Sequence, residues 1–199
     1  MYDHKTAQTR QQILDSFIHL VNEKDISKIT INDITTGAQI NRGTFYRHFT
    51  DKFDLIEKTE QIIFTEIEDT LTAAIINPQV TSPFSDEFDN YREQVLLIIK
   101  QHAAFISAML SPNGDLTFEA KLRQQLIKLV NLGLGNFTVQ QPINDSDRQL
   151  IIQFTANGLI GIIRYWLLHD DIPNEKISEI ATQIMSNGTL AALGFEASR

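Results

Sequence analysis

The chain has 199 residues, 42% of them hydrophobic and 21% charged, a balance that supports one large or two small globular domains with a real core. It contains no cysteine, which excludes disulfides, thiolate catalysis and cysteine-based metal sites. The formal charge is −8, yet residues 1–60 hold eight Lys/Arg against nine Asp/Glu, so most of the acid lies later and an early basic surface stays open to an acidic partner.

The opening MYDHKTAQTRQQ is polar and lacks the apolar run of a secretory signal. The most apolar segment, 149–168, is interrupted by Gln149, Gln153, Asn157 and Arg164. We therefore expect a cytoplasmic protein with no membrane partner. Apolar residues recur at three- and four-residue steps almost throughout, with no sustained alternation. The five prolines, Pro78, Pro83, Pro112, Pro142 and Pro173, fall between those segments. The expected fold is all-α, with eight or nine helices.

In chain order, Ile13, Leu14, Phe17, Ile18 and Val21 define a first helix from about Thr6 to Glu23. After a break at KDISKI, Thr30 has the character of an N-cap, with Asp33 at the third helical position. It opens a very short helix, INDITTGA. Asn41 caps another, ending near Phe49, and Asp51 caps a long helix reaching Ile75 or Ile76. Further helices are expected at about 86–110, 116–136, 146–169 and 175–192, the first of these divisible near Gln101 or His102.

Two short helices joined by a tight turn and backed by an earlier helix make a helix-turn-helix, spanning about 30–49. At 100° per residue, Phe45 and Phe49 share one side of the second short helix and should pack inward with Ile34 and Ile40. Gly43 and Arg47 lie opposite, flanked by Arg42, Thr44, Tyr46 and His48, with Lys52 following. Arginine in that setting can pair bidentately with guanine, while hydroxyls and Lys52 suit phosphates. Gly43, unfavourable inside a helix by about 1 kcal/mol, would let the backbone approach DNA closely.

The stretch TINDITTGAQINRGTFYRHFTDKFDLI resembles the DNA-binding signature of the TetR/AcrR (tetracycline-repressor) family of bacterial transcription regulators. Ile34, Ala38, Ile40, Gly43, Thr44, Phe45, Tyr46, Phe49, Lys52 and Leu55 stand in the family's order and spacing. The resemblance implies a DNA-binding head over 1–50 and a helical regulatory and dimerisation body over 51–199. It implies that Arg42, Gly43 and Tyr46 face bases and that Thr30, Thr44, His48 and Lys52 hold phosphates. Gln39, Asn41 and Arg47 complete the expected DNA-binding set. The family usually has glycine where this chain has Gln39, and alanine at Thr35.

In the body, LIIQFTANGLIGIIRYWLL is apolar on nearly every side, which requires burial on every side. Ala156, Gly158 and Gly161 permit close helix approach, and Ile177, Ile180, Ala181, Ile184, Met185 and Gly188 form one stripe on the last helix. The pair resembles the helices that build the family's two-fold interface, with Ile160, Ile163, Leu167, Ile177, Ile180, Ala181, Ile184 and Met185 expected there. A homodimer fits an operator of two half-sites on double-stranded DNA. The resemblance also implies an effector cavity, for which Phe64, His102, Phe105, Met109, Phe118, Phe137, Phe154 and Asn157 are candidates. Control by an unknown small molecule leads to a repressor released from its operator; control by a protein partner is the alternative. No nucleophile–base pair, phosphate loop or metal-spaced cluster is visible, so no enzyme, cofactor or metal is expected.

Overall fold

The computed structural model describes residues 2–82, 85–134, 143–169, 171–184 and 188. The fold is all-α, as the periodicity requires, with no strand among the described residues. In order come α1 (Tyr2–Glu23), a single 3-10 turn (Ile26–Lys28), α2 (Ile31–Gly37), α3 (Arg42–Tyr46) and α4 (Lys52–Ile76). They are followed by α5 (Asp86–Gln101), α6 (Ala103–Leu110), α7 (Phe118–Leu134), α8 (Asp145–Leu167) and α9 (Asn174–Ile184). The division expected near His102 is present: that residue is the C-cap of α5, and α6 begins at the next position. The expected extension of the last helix to 192 lies outside the described residues.

The chain forms two compact units. One comprises Met1–Ile63 with Ala104–Glu119, the other Phe64–Ala103 with Ala120–Arg199. Within the first, Ile13, Phe17 and Val21 of α1 are fully buried beside Ile34, Phe45 and Leu55, a core repeating at helical spacing. Ser16 is buried among them and donates its hydroxyl to the Ile34 carbonyl at 2.9 Å. A Cβ at Gly37 would stand 2.3 Å from the Ser16 Oγ, so glycine is what lets α2 pass this close to α1.

Segment 104–119 belongs to this unit through packing and hydrogen bonds. Phe105, Met109 and Phe118 are buried, with Phe105 and Phe118 edge to face at 6.0 Å. The Asn113 amide donates to the Val21 carbonyl at 3.1 Å, and the Ile26 N–H donates to the Asn113 carbonyl at 2.9 Å. Both ends of the α1-to-turn connection are thus satisfied by one residue about ninety positions later, a pairing invisible to local pattern.

In the second unit α9 packs on α5 and α8. Trp166, fully buried, donates its indole N–H to the Ile172 carbonyl at 3.2 Å, and the Lys100 ammonium lies 5.4 Å from its ring centre. These contacts fix the end of α8 against α5 and the connection to α9. By length and hydropathy α8 could cross a membrane, but Ile152, Ala156, Ile160, Ile163 and Trp166 are packed into the fold.

The opposite face of α8 corrects the expectation of burial on every side. Leu150, Phe154, Tyr165 and Leu168 are exposed, Phe154 by 74% and Leu168 by 70%, with Gly158 and Gly161 exposed between them. Positions expected at a two-fold interface are redistributed accordingly. Ile160, Ile163 and Ile177 are buried inside the single chain. Leu167, Ile180 and Ala181 are half-buried and Ile184 is exposed, while Met185 lies outside the described residues. The reason is helical phase. Positions 152, 156, 160, 163 and 166 form one stripe, positions 150, 154, 158, 161, 165 and 168 another, and only one can face the chain's own core.

Candidate nucleic-acid interface

The helix-turn-helix is built by caps at three ends. Thr30 and Asp33 form a reciprocal capping box: the Asp33 N–H donates to Thr30 Oγ1 at 3.2 Å, and the Thr30 N–H donates to Asp33 Oδ2 at 2.9 Å. Lys24 also donates to Asp33 Oδ2 at 2.9 Å, and this bond, with those from Thr30, holds the Asp33 carboxyl down at about 2. Asn41 caps α3, its Oδ1 accepting the Thr44 N–H at 2.8 Å. Asp51 caps α4, its Oδ1 accepting the Phe53 and Asp54 N–H groups.

The turn between α2 and α3 is a Schellman closure. The Gln39 N–H reaches the Thr36 carbonyl at 3.2 Å and the Ile40 N–H the Thr35 carbonyl at 3.0 Å. That geometry places Gln39 at φ 55°, the left-handed region where glycine is usual. A non-glycine residue there costs about 1–2 kcal/mol, and the entropy of freeing a glycine recovers about half. Gln39→Gly should therefore stabilise the protein by about 0.5–1 kcal/mol in a urea titration. A lower midpoint for the variant would show that the glutamine side chain contributes something glycine cannot replace.

α3 presents two faces. Phe45 and Phe49 are buried with ring centres 5.8 Å apart, while Arg42, Gly43, Tyr46 and Arg47 are exposed and Thr44 and His48 half-buried. The exposed groups are organised among themselves. Arg42 Nη2 donates to Tyr46 Oη at 3.2 Å with its guanidinium 5.9 Å from the ring centre, and Arg47 Nη2 donates to Thr44 Oγ1 at 2.9 Å. Neither bond uses a carboxylate, so both guanidinium charges stay available to an incoming anion. A Cβ at Gly43 would meet only the Asn41 cap oxygen, at 3.3 Å. Burial first, then the charges of Arg10 and Arg47, lower the His48 pKa below its ordinary 6.5.

Two lysines expected or overlooked by pattern have structural partners. Lys52 was expected to hold a phosphate; instead its Nζ donates to the carbonyls of Ile26, Ser27 and Ile29 at 2.7, 3.2 and 2.8 Å. Three acceptors occupy the three N–H groups of an ammonium, so it ties α4 to the 3-10 turn and has no donor left for a phosphate. Burial lowers its pKa below the usual lysine value, with Asp25 opposing. Lys58, which pattern gave no reason to select, donates to the His48 carbonyl at 3.2 Å and to Asp54 Oδ2 at 2.8 Å. It fastens the end of the recognition segment to α4.

The residues expected around an effector are divided between the two units. Phe105, Met109 and Phe118 are core of the first unit. Of the others, Phe64 is half-buried and His102 Nε2 pairs with Glu66 Oε2 at 3.0 Å, while Phe154 and Asn157 are exposed. Asn157 Oδ1 accepts from Arg123 at 2.9 Å and its amide donates to the Gln153 carbonyl. Phe137 lies outside the described residues. The phase of α8 explains the two exposed positions.

Residues 13–59 match the description "Bacterial regulatory proteins, tetR family", and residues 86–187 match "Transcriptional regulator C-terminal region". The uncharacterized HTH-type transcriptional regulator YxbF of Bacillus subtilis (strain 168) is 38% identical over 180 residues, covering 88% of this chain. The chain spans 44% of that relative's length. The probable acrEF/envCD operon repressor of Escherichia coli (strain K12) is 22% identical over 187 residues, covering 83% of this chain and 79% of the repressor. The solved dihydroxyacetone kinase operon activator DhaS superposes with a TM-score of 0.59 at 20% identity, covering 95% of this chain and 98% of DhaS, a likeness of fold. With the head and the C-terminal region both matched, this chain belongs to the TetR family of bacterial regulatory proteins.

Proposed function

We propose that the protein is a dimeric transcriptional regulator that reads a two-half-site DNA operator and acts as a repressor released by a small-molecule effector. Residues 1–50 would form its DNA-reading head and 51–199 its regulatory body. The observation that carries the reading is the outer face of α3. On it, Arg42, Thr44, Tyr46 and Arg47 stand exposed or half-exposed around Gly43, with Phe45 and Phe49 anchoring the helix from behind. Arg42, steadied by Tyr46, is the group best suited to the guanine edge, and Gly43 gives the clearance the backbone needs to enter the major groove. Thr44, Asn41 and Gln39 border this face and, with Thr30 at the start of α2, suit phosphate contact; repression agrees with the name of the Escherichia coli relative.

The second copy is the occupant we assign to the exposed face of α8. A Cβ at Gly158 or Gly161 would meet nothing within 4 Å, so these positions hold open space between large apolar side chains, the profile of a helix awaiting another helix. Two heads on a two-fold axis then read two half-sites. An effector that prefers one arrangement of the body would shift the population of head spacings. Because Lys58 and Lys52 bind the end of the recognition segment and the 3-10 turn to the start of α4, displacement of that helix start carries the head with it.

Selection of bound duplexes from a random pool supplies the operator. On it, Arg42→Ala should weaken binding by about 1–3 kcal/mol and relax preference at one base pair in each half-site. Unchanged affinity and unchanged selected sequence would remove α3 from the interface.

A further inference from the structure

The unit that holds the helix-turn-helix includes residues 104–119, although the chain on either side of that segment belongs to the second unit. The chain thus passes between the units at three points: within α4, at the start of α6 and near the start of α7. The α6–α7 loop lies between the last two, and it is built to hold one residue in place. Ser111 Oγ donates to the Ala108 carbonyl at 2.7 Å and accepts the Asn113 N–H at 3.3 Å. The Gly114 N–H donates to the Ser111 carbonyl at 3.0 Å, and a Cβ at Gly114 would stand 2.3 Å from the Met109 carbonyl oxygen, so the turn lies directly on the end of α6. Asp115 Oδ1 accepts the N–H and the hydroxyl of Thr117, both at 2.8 Å, at the entry to α7.

Asn113, half-buried between these bonds, directs its side-chain amide to the Val21 carbonyl at 3.1 Å and its own carbonyl to the Ile26 N–H at 2.9 Å. Val21 stands in the last turn of α1, where a helix has no donors of its own for its carbonyls. Ile26 opens the 3-10 turn, and its carbonyl accepts from Lys52 at 2.7 Å. One residue is therefore held from two sides: through its N–H by the α6–α7 loop, through its carbonyl by the start of α4. Lys24, between Val21 and Ile26, donates to Asp33 in the capping box that opens α2. The restraint reaches the helix-turn-helix within a few residues.

A head attached through α4 alone could turn about that helix; a second attachment away from its axis removes the freedom. We propose that Asn113 is a specificity-determining residue that touches no DNA: by joining the end of α1 and the 3-10 turn to the α6–α7 loop, it fixes the half-site spacing that the protein accepts. This rests on the dimeric, two-half-site reading above. One base pair displaces a half-site by about 3.4 Å and turns it by about 35°. The gain from a linked second site is lost when the geometry no longer matches, so a fixed head rejects a shifted half-site that a turning head follows.

The test uses the full chain and the duplex recovered from random-pool selection. The same duplex with one base pair inserted or removed between its half-sites, and a duplex carrying one half-site, complete the set. Wild-type affinity should fall about tenfold or more when the spacing changes, and that of Asn113→Leu by about threefold or less. The variant should keep wild-type affinity for the single half-site and melt within about 2–4 °C of the wild type. Asn113→Ser, which also lacks the amide, repeats the test in a smaller side chain. Spacing preference as sharp as the wild type's in both folded variants overturns the role of Asn113 alone. Equal losses on the single half-site and on the operator overturn it as well, because a general weakening of the head produces that pattern. Absence of wild-type binding to any duplex with two half-sites overturns the proposed function, and the role of Asn113 with it.

Discussion

Phe154→Glu is expected to give a folded, helical, monomeric protein that has lost most of its affinity for a two-half-site operator. Phe154 is 74% exposed in the single chain, so the substitution removes nothing from the core of either unit. Burying that ring against a second copy would contribute about 3 kcal/mol per protomer, and the change occurs twice across a two-fold axis. Carboxylates at that position would also have to enter an apolar contact, a further cost. Once the heads are unlinked, the second half-site is no longer bound intramolecularly, and operator affinity should fall by about 10²–10⁴-fold. Sedimentation velocity and circular dichroism decide it. A variant that sediments as a dimer would show that the exposed stripe of α8 does not face the second copy.

Lys52→Met is expected to destabilise the head by about 2–4 kcal/mol, because three backbone carbonyls lose a charged donor at once and methionine offers none. The carbonyls of Ile26, Ser27 and Ile29 curve around the ammonium, and the half-buried stem of Lys52 leaves limited access for water to replace it. Unfolding followed by urea should show the loss, and DNA affinity should fall with it at every salt concentration while the salt slope stays near the wild-type value. The contrasting result is sharp. Wild-type stability with a salt slope reduced by about one would return Lys52 to the phosphate role that its sequence position implies.

Local features of the head were legible because their causes are local. The Thr30–Asp33 capping box and the Asn41 and Asp51 caps each need residues only two or three positions apart. The two faces of α3 follow from 100° per residue, which sets Gly43 and Arg47 opposite Phe45 and Phe49. Even the left-handed Gln39 could be anticipated, from the glycine that the family resemblance puts at that position.

Roles set by distant partners were not legible. Lys52 sits where a basic residue at a helix start suits DNA, and only the folded path of the 3-10 turn turns it inward. Asn113 reaches Val21 and Ile26 across the whole of the intervening chain.

By itself the sequence determined an all-α chain, its capped helix-turn-helix and the division of α3 into a packed and a presented face, because each depends on helical period and on hydrogen bonds within one turn. Tertiary structure decided which of two apolar stripes on α8 is core. It placed Ile152, Ile160, Ile163 and Trp166 inside and left Leu150, Phe154, Tyr165 and Leu168 outside. Both stripes satisfy the same period with residues of the same kind, so only the position of the neighbouring helices distinguishes them.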